Sequence, residues 1–184
     1  MLSVNELQGT LLKAGRGAGL PLGLAEDLAF CAPDIALGDT NTILSEVLTC
    51  LAQPFAPATA DLSGQGTVMG TGNPLMTLPS ALDLLSAGNG PIMLNDVPNA
   101  LANALIAGRQ RIERKALWAD WIEPGKLILH GWKSGHFSAP SQPERVSVAP
   151  ALWSGLQDFA ANTYVPESEA SRLAGAGAGL TDND

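Results

Sequence analysis

Long apolar runs are missing from this sequence. Nowhere does a hydrophobic stretch approach the length of a bilayer span, so a membrane helix is not expected. Basic residues are scarce as well: 10 Lys and Arg stand against 18 Asp and Glu, giving a formal net charge of −8. Nucleic-acid binding and docking on an anionic membrane both need a surplus of positive charge, so neither partner is expected. A small anion held by one local arginine stays compatible with this balance. The N-terminus has no basic segment leading into an apolar one, which argues against a secretory signal.

Cysteine is nearly absent too. Cys31 and Cys50 stand far from any C-x-x-C spacing and fall in predicted helices, so they read as two buried thiols rather than a disulfide or metal pair. Two histidines, His130 and His136, have no cysteine beside them and no H-E-x-x-H frame, a poor zinc signature, and no metal is expected. No Gly-x-Ser-x-Gly elbow is present, so no serine-hydrolase set is recognisable. Reaction and cofactor are therefore not named by any motif. Reduced thiols and the missing leader point to the cytoplasm.

What the chain does have is glycine in a repeated setting. Ala14-Gly15-Arg16-Gly17-Ala18-Gly19-Leu20 near the start is echoed by Ala174-Gly175-Ala176-Gly177-Ala178-Gly179-Leu180 near the end. Ordered glycine is entropically costly, so such a run suggests positive φ or close approach to backbone or ligand. The composition is that of a folded protein, with 46% hydrophobic and 15% charged residues, and 184 residues suffice for one domain with a real core.

Patterning predicts the elements. Ser3-Val4-Asn5-Glu6 is a capping box for a helix over 4–14 that stops at Gly15, with Arg16–Gly19 as a loop. A second helix opens at Pro21, and Asp39 or Thr40 caps a third that reaches Leu51. Residues 53–79 are rich in proline and glycine and read as loop with one strand at 67–71. Ser80 caps a short helix, 81–85. A buried strand follows at 91–94, then a helix from Asp96 to Gly108. Residues 111–132 read as β, turning at Glu123-Pro124-Gly125-Lys126. A strand at 145–149, a helix from Pro150 to Thr163 and a shorter one over 167–173 complete the chain. The class is α+β: a helical N-terminal third, a middle with short antiparallel strands, and a helical C-terminal segment, in a single domain, 1–184.

The end segments Ser3-x-Asn5-Glu6, Lys13-Ala14-x-Arg16-Gly17-Ala18-Gly19 and Gly23-x-Ala25-Glu26 are distinctive. So are Thr163-Tyr164-Val165-Pro166-x-Ser168-Glu169-Ala170-Ser171-Arg172, Gly175-Ala176-Gly177 and Thr181-Asp182-Asn183-Asp184. On these residues the chain resembles a bacterial family of domains of unknown function, number 3726 in that series. Gly15 departs from the pattern, which more often has alanine there. The resemblance implies a bacterial, single-domain, soluble protein and brings no activity with it.

Candidate ligand residues follow from charge beside glycine. Arg16, next to a predicted helix start, suits a carboxylate or phosphate, and pairing with Glu26, Asp27 or the acidic tail is the ordinary alternative. Ser168, Glu169, Ser171 and Arg172 share a predicted helix that runs into the second glycine stretch. If the two glycine runs dock, Arg16, Gly17, Gly19, Glu26, Ser168, Glu169, Ser171, Arg172, Gly175 and Gly177 form one site. The expected ligand is a small anionic metabolite, bound by an enzyme or a binding protein. The alternative is a non-catalytic assembly module or enzyme subunit whose glycines serve packing alone. Trp118, Trp121, Trp132 and Trp153 suit a core or a subunit interface, leaving a homo-oligomer open.

Overall fold

The computed structural model describes residues 1–62, 66–133 and 137–163. The first helix, α1 (Val4–Ala18), begins with the expected capping box. Ser3 Oγ accepts from the Glu6 N–H at 3.1 Å, and Glu6 Oε2 accepts from the Ser3 N–H at 2.7 Å. Its apolar face buries Val4, Leu7, Leu11 and Ala14.

α1 does not stop at Gly15. It runs through Arg16 and Gly17 to Ala18, and Gly19 is the cap, at φ 94°. The Leu20 N–H donates to the Gly15 carbonyl and the Gly19 N–H to the Arg16 carbonyl, which is the Schellman arrangement. Only the last glycine of the run therefore needs its left-handed freedom. The other two serve packing. A Cβ on Gly15 would stand 3.1 Å from the Ala25 Cβ, and one on Gly17 would stand 1.9 Å from the Phe159 carbonyl oxygen.

Those neighbours lie on α2 (Leu22–Phe30) and on α7 (Pro150–Ala161), which flank α1. A short α3 (Ala32–Leu37) follows α2 directly, and α4 (Thr40–Leu51) is capped by Asp39 as expected. The middle of the chain holds β2 (Ala60–Asp61), β3 (Thr67–Met69), α5 (Pro74–Ser86), β4 (Ile92–Leu94) and α6 (Asn99–Glu113). It continues with β5 (Leu117–Glu123) and β6 (Lys126–Trp132), turning where Glu123–Lys126 predicts. The remaining strands, β1 (Leu2–Ser3) and β7 (Arg145–Val146), pair with each other.

Two further helices begin or end differently from their sequence signals. α5 contains Pro79 rather than starting after it, so Ser80 is no cap. Asn73 starts it instead: its Oδ1 accepts from the Leu75 N–H at 3.0 Å, while its Nδ2 donates to the Cys50 carbonyl at 2.7 Å. One buried side chain thus caps α5 and ties it to the end of α4. α6 is not capped by Asp96, which sits in the turn before it at φ 57°. A distant carboxylate does that work, Glu46 Oε2 of α4, accepting from the Leu101 N–H at 2.6 Å. α6 also passes Gly108 and carries Ile112, which was expected on a strand.

The larger sheet has the order β2-β3-β4-β6-β5. Its pairs are antiparallel except β3 and β4, which run parallel because α5 crosses between them. Antiparallel pairing prevails as expected, with β3 and β4 the one parallel pair of this sheet. Thr67, Met69, Ile92, Leu94, Leu127 and Leu129 are buried, with α5 against β4 and β6. Asp61, Val68, Met93, Ile128 and Asp120 form one cross-strand row on the alternate positions. The class is α+β, with helices at the N-terminal third and in α7. The expected helix at 167–173 lies outside the described residues.

Gly17→Ala is expected to destabilise the fold by about 1–3 kcal/mol, because its methyl group meets a main-chain carbonyl that cannot move alone. Gly9→Ala on the same helix has nothing within 4 Å of its new Cβ and should stabilise by about 0.5–1 kcal/mol. Urea unfolding of the two variants separates the effects.

Candidate functional site

The residues singled out in the sequence fall in three places. Arg16 is exposed in the last turn of α1, where a cation complements the negative end of the helix dipole. It is therefore on a helix C-terminus and not in a loop before a helix start. Glu26 is exposed on α2, and among the described residues no ion pair joins Arg16 to Glu26 or Asp27. Gly17 and Gly19 have the packing and capping roles given above, with α7 as the partner of Gly17. Ser168, Glu169, Ser171, Arg172, Gly175 and Gly177 lie outside the described residues, as does His136.

His130 on β6 faces Asp120 of β5, with Nε2 3.0 Å from Oδ2. Its ring stacks on Trp118 at 4.3 Å between centroids. Cys31 and Cys50 are free and buried, as expected. Burial pushes the Cys31 thiol far up and the Cys50 thiol up to about 11, so neither is a nucleophile at neutral pH. Among the described residues no group of three or more His, Cys, Asp and Glu is placed to hold a metal ion.

The sequence reading missed the most developed polar feature, an ion pair between α3 and α6. Asp34 is 8% exposed, on a six-residue helix that is otherwise apolar apart from a proline. Arg111 approaches it from α6, with Nη2 at 3.0 Å and Nε at 3.2 Å from Asp34 Oδ2. Nη2 also donates to the Phe30 carbonyl. A carboxylate in so apolar a segment needs a cation, and that need was the available signal. It went unused because Arg111 was placed on a strand.

Gly108 explains why the pair can form. A Cβ there would stand 2.5 Å from Cys31 Sγ and 3.4 Å from Asp34 Oδ2. Without one, α6 comes close to the junction of α2 and α3. Arg111, one turn further along α6, then meets Asp34.

Arg111 also lines two clefts. One, of about 400 Å³, is mostly apolar, with Leu37, Ile43, Ala104, Phe137 and Pro140 in its wall. Asp34 and Asp39 edge it. Hydrogen bonds from Thr42 hold the Asp39 carboxyl below its usual range, so it stays ionised. The other cleft, of about 640 Å³, is the more polar: Asn5, Gln8, Gln142, Glu144 and Arg145 stand beside Arg111, and Val4, Phe30, Pro33 and Pro143 share the wall. Pairing of β1 with β7 builds this second cleft, since it sets Ser3 opposite Arg145 and the Val4 N–H on the Glu144 carbonyl at 3.0 Å. Neither cleft has Arg16 or Glu26 in its wall.

Residues 2–66 match the model of a family described as "Protein of unknown function (DUF3726)". The match takes in α1 to α4 and the first glycine run, and ends before α6 and the Arg145 side of the polar cleft. No curated protein and no solved structure matches the chain.

Arg111→Met is expected to cost about 3 kcal/mol in unfolding free energy, because Asp34 is left buried without its cation. Combining it with Asp34→Leu should recover most of that loss, since no charge then remains buried. A double-mutant cycle by urea unfolding reads the coupling directly.

Proposed function

We propose that the protein binds a small anionic metabolite, as an enzyme or a binding protein, and that the anion sits in the polar cleft between Arg111 and Arg145. The observation that carries this reading is convergence of charge. A chain with 10 basic and 18 acidic residues directs two arginines into one cleft. Glu144 lines that cleft, Glu6 lies within charge range of Arg145 and Asp34 pairs with Arg111, while Asn5, Gln8 and Gln142 supply neutral amide donors. The Arg111 guanidinium is held in place by Asp34 and the Phe30 carbonyl, so little rotamer freedom is lost when an anion arrives. No reaction is assigned. The end of α1, at Arg16 and Glu26 together with Ser168, Glu169, Ser171 and Arg172, is the second location for the anion.

Two buried free thiols suit a reducing cytoplasm. Among the described residues no helix is long and apolar enough to cross a membrane. The second reading is a non-catalytic assembly module. It is favoured by Trp118 and Ile122, 51% and 54% exposed on β5, an edge strand of the sheet.

Inorganic phosphate and citrate, at matched ionic strength, should raise the thermal midpoint of the wild-type protein. Arg145→Gln should shrink that rise at least threefold, while Arg16→Ala leaves it intact. The reverse pattern moves the site to α1. Equal shifts in all three proteins overturn both locations. A dimer that Trp118→Ser dissociates, without any anion effect, supports the module instead.

A further inference from the structure

We propose that the ladder of β1 and β7 is a clasp that closes one wall of the Arg145 cleft, and that a bound anion holds it shut. This rests on the anion-site reading above and adds a conformational step to it. The cleft has two halves of different rigidity. One half is fixed. Arg111 is tied to Asp34 and the Phe30 carbonyl, and Asn5 and Gln8 stand on α1, whose Leu7 and Leu11 are fully buried. The other half is the run Gln142-Pro143-Glu144-Arg145.

Little holds that second half. β7 is two residues long and pairs with β1 alone, which is also two residues long. From Ser141 to Ser147 the one buried side chain is Val146, 4% exposed. Pro143 has no N–H to add to the ladder. A two-stranded ladder is marginal by itself in water, so this one opens at a small part of the cost of global unfolding. Ser3 stays with Glu6 in the capping box, so β7 is the strand that leaves. Its departure frees the Val4 N–H, a first-turn donor of α1 that otherwise bonds the Glu144 carbonyl at 3.0 Å. It also carries Arg145 away from Arg111.

Each arginine has a carboxylate of its own, since Asp34 pairs with Arg111 and Glu144 adjoins Arg145. Neither alone is a strong anion site, and only the closed clasp sets both guanidinium groups in one wall. An anion that needs both therefore binds the closed form and shifts the ladder toward it. Glu6, within charge range of Arg145, adds a weaker pull that salt screens.

The experiment follows backbone hydrogen exchange of the full chain by NMR, with inorganic phosphate as the probe at matched ionic strength. Without phosphate, the Val4 amide should be roughly a hundredfold less protected than the Leu11 amide in the middle of α1. Phosphate at about ten times its dissociation constant should slow Val4 about tenfold. The Gly88 amide, bonded to the Leu85 carbonyl at the end of α5, should not change. Arg145→Gln should abolish the slowing at Val4. Leu2 and Val146 face each other in the ladder, so Leu2→Cys with Val146→Cys allows a disulfide to replace the clasp. Oxidation of that variant should slow Val4 without phosphate and leave phosphate nothing to add. Val4 as protected as Leu11 without phosphate overturns the clasp. So does a phosphate shift in thermal midpoint that leaves Val4 exchange unchanged, or one that slows Val4 and Gly88 alike. The anion site stands in those cases. Absence of any phosphate effect, on midpoint or on exchange, overturns the anion site and the coupling together.

Discussion

Main-chain approach at glycine is the constraint on which this structure depends. At Gly108 the space a Cβ would take is held by the sulfur of Cys31, and at Gly17 by the carbonyl of Phe159. Each glycine sits inside a helix, where it costs about 1 kcal/mol relative to alanine. The offset comes from packing that no other residue allows. Gly17 seats α1 on α7, and Gly108 seats α6 on the junction of α2 and α3. The N-terminal third, the sheet layer with its helices and the last described helix are joined at these contacts.

The second approach has a chemical consequence. It brings Asp34 and Arg111 together from helices 77 residues apart in sequence. Buried ion pairs contribute little net stability, because desolvation consumes most of the attraction. What such a pair does well is hold a guanidinium at a fixed place. Here that place is the border of two clefts, one mostly apolar and one of mixed lining. The chain's start contributes as well, since β1 pairs with β7 and carries the 142–145 segment to the polar side. Glu46, reaching across to the first turn of α6, fixes the other end of the helix that bears Arg111.

Local signals in the sequence were reliable wherever the physics was local. Ser3 with Glu6, Asp39 before α4, and the Glu123–Lys126 turn all rest on neighbours within a few residues, and each is found as expected. The signals that misled were local ones outweighed by distant partners. Pro79 and Gly108 read as boundaries, yet both lie inside helices that Asn73 and Glu46 cap and that the core holds. The glycine run at 15–19 was rightly marked as special for close approach and for positive φ. Its partner, α7, could not be named without the fold. The Asp34–Arg111 pair left one local trace, a carboxylate in an apolar segment, but nothing in that segment names Arg111 as the partner. The echo at 174–180 lies outside the described residues.

The most direct measurement compares Gly108→Ala with the same change combined with Cys31→Ala, which removes the sulfur the new methyl group would strike. Unfolding free energy and the thermal shift with inorganic phosphate are read on both. The single variant should lose about 1–3 kcal/mol and much of the phosphate effect, and the pair should regain both. A single variant that keeps full stability and the full phosphate shift would contradict the account, as would a pair that recovers neither.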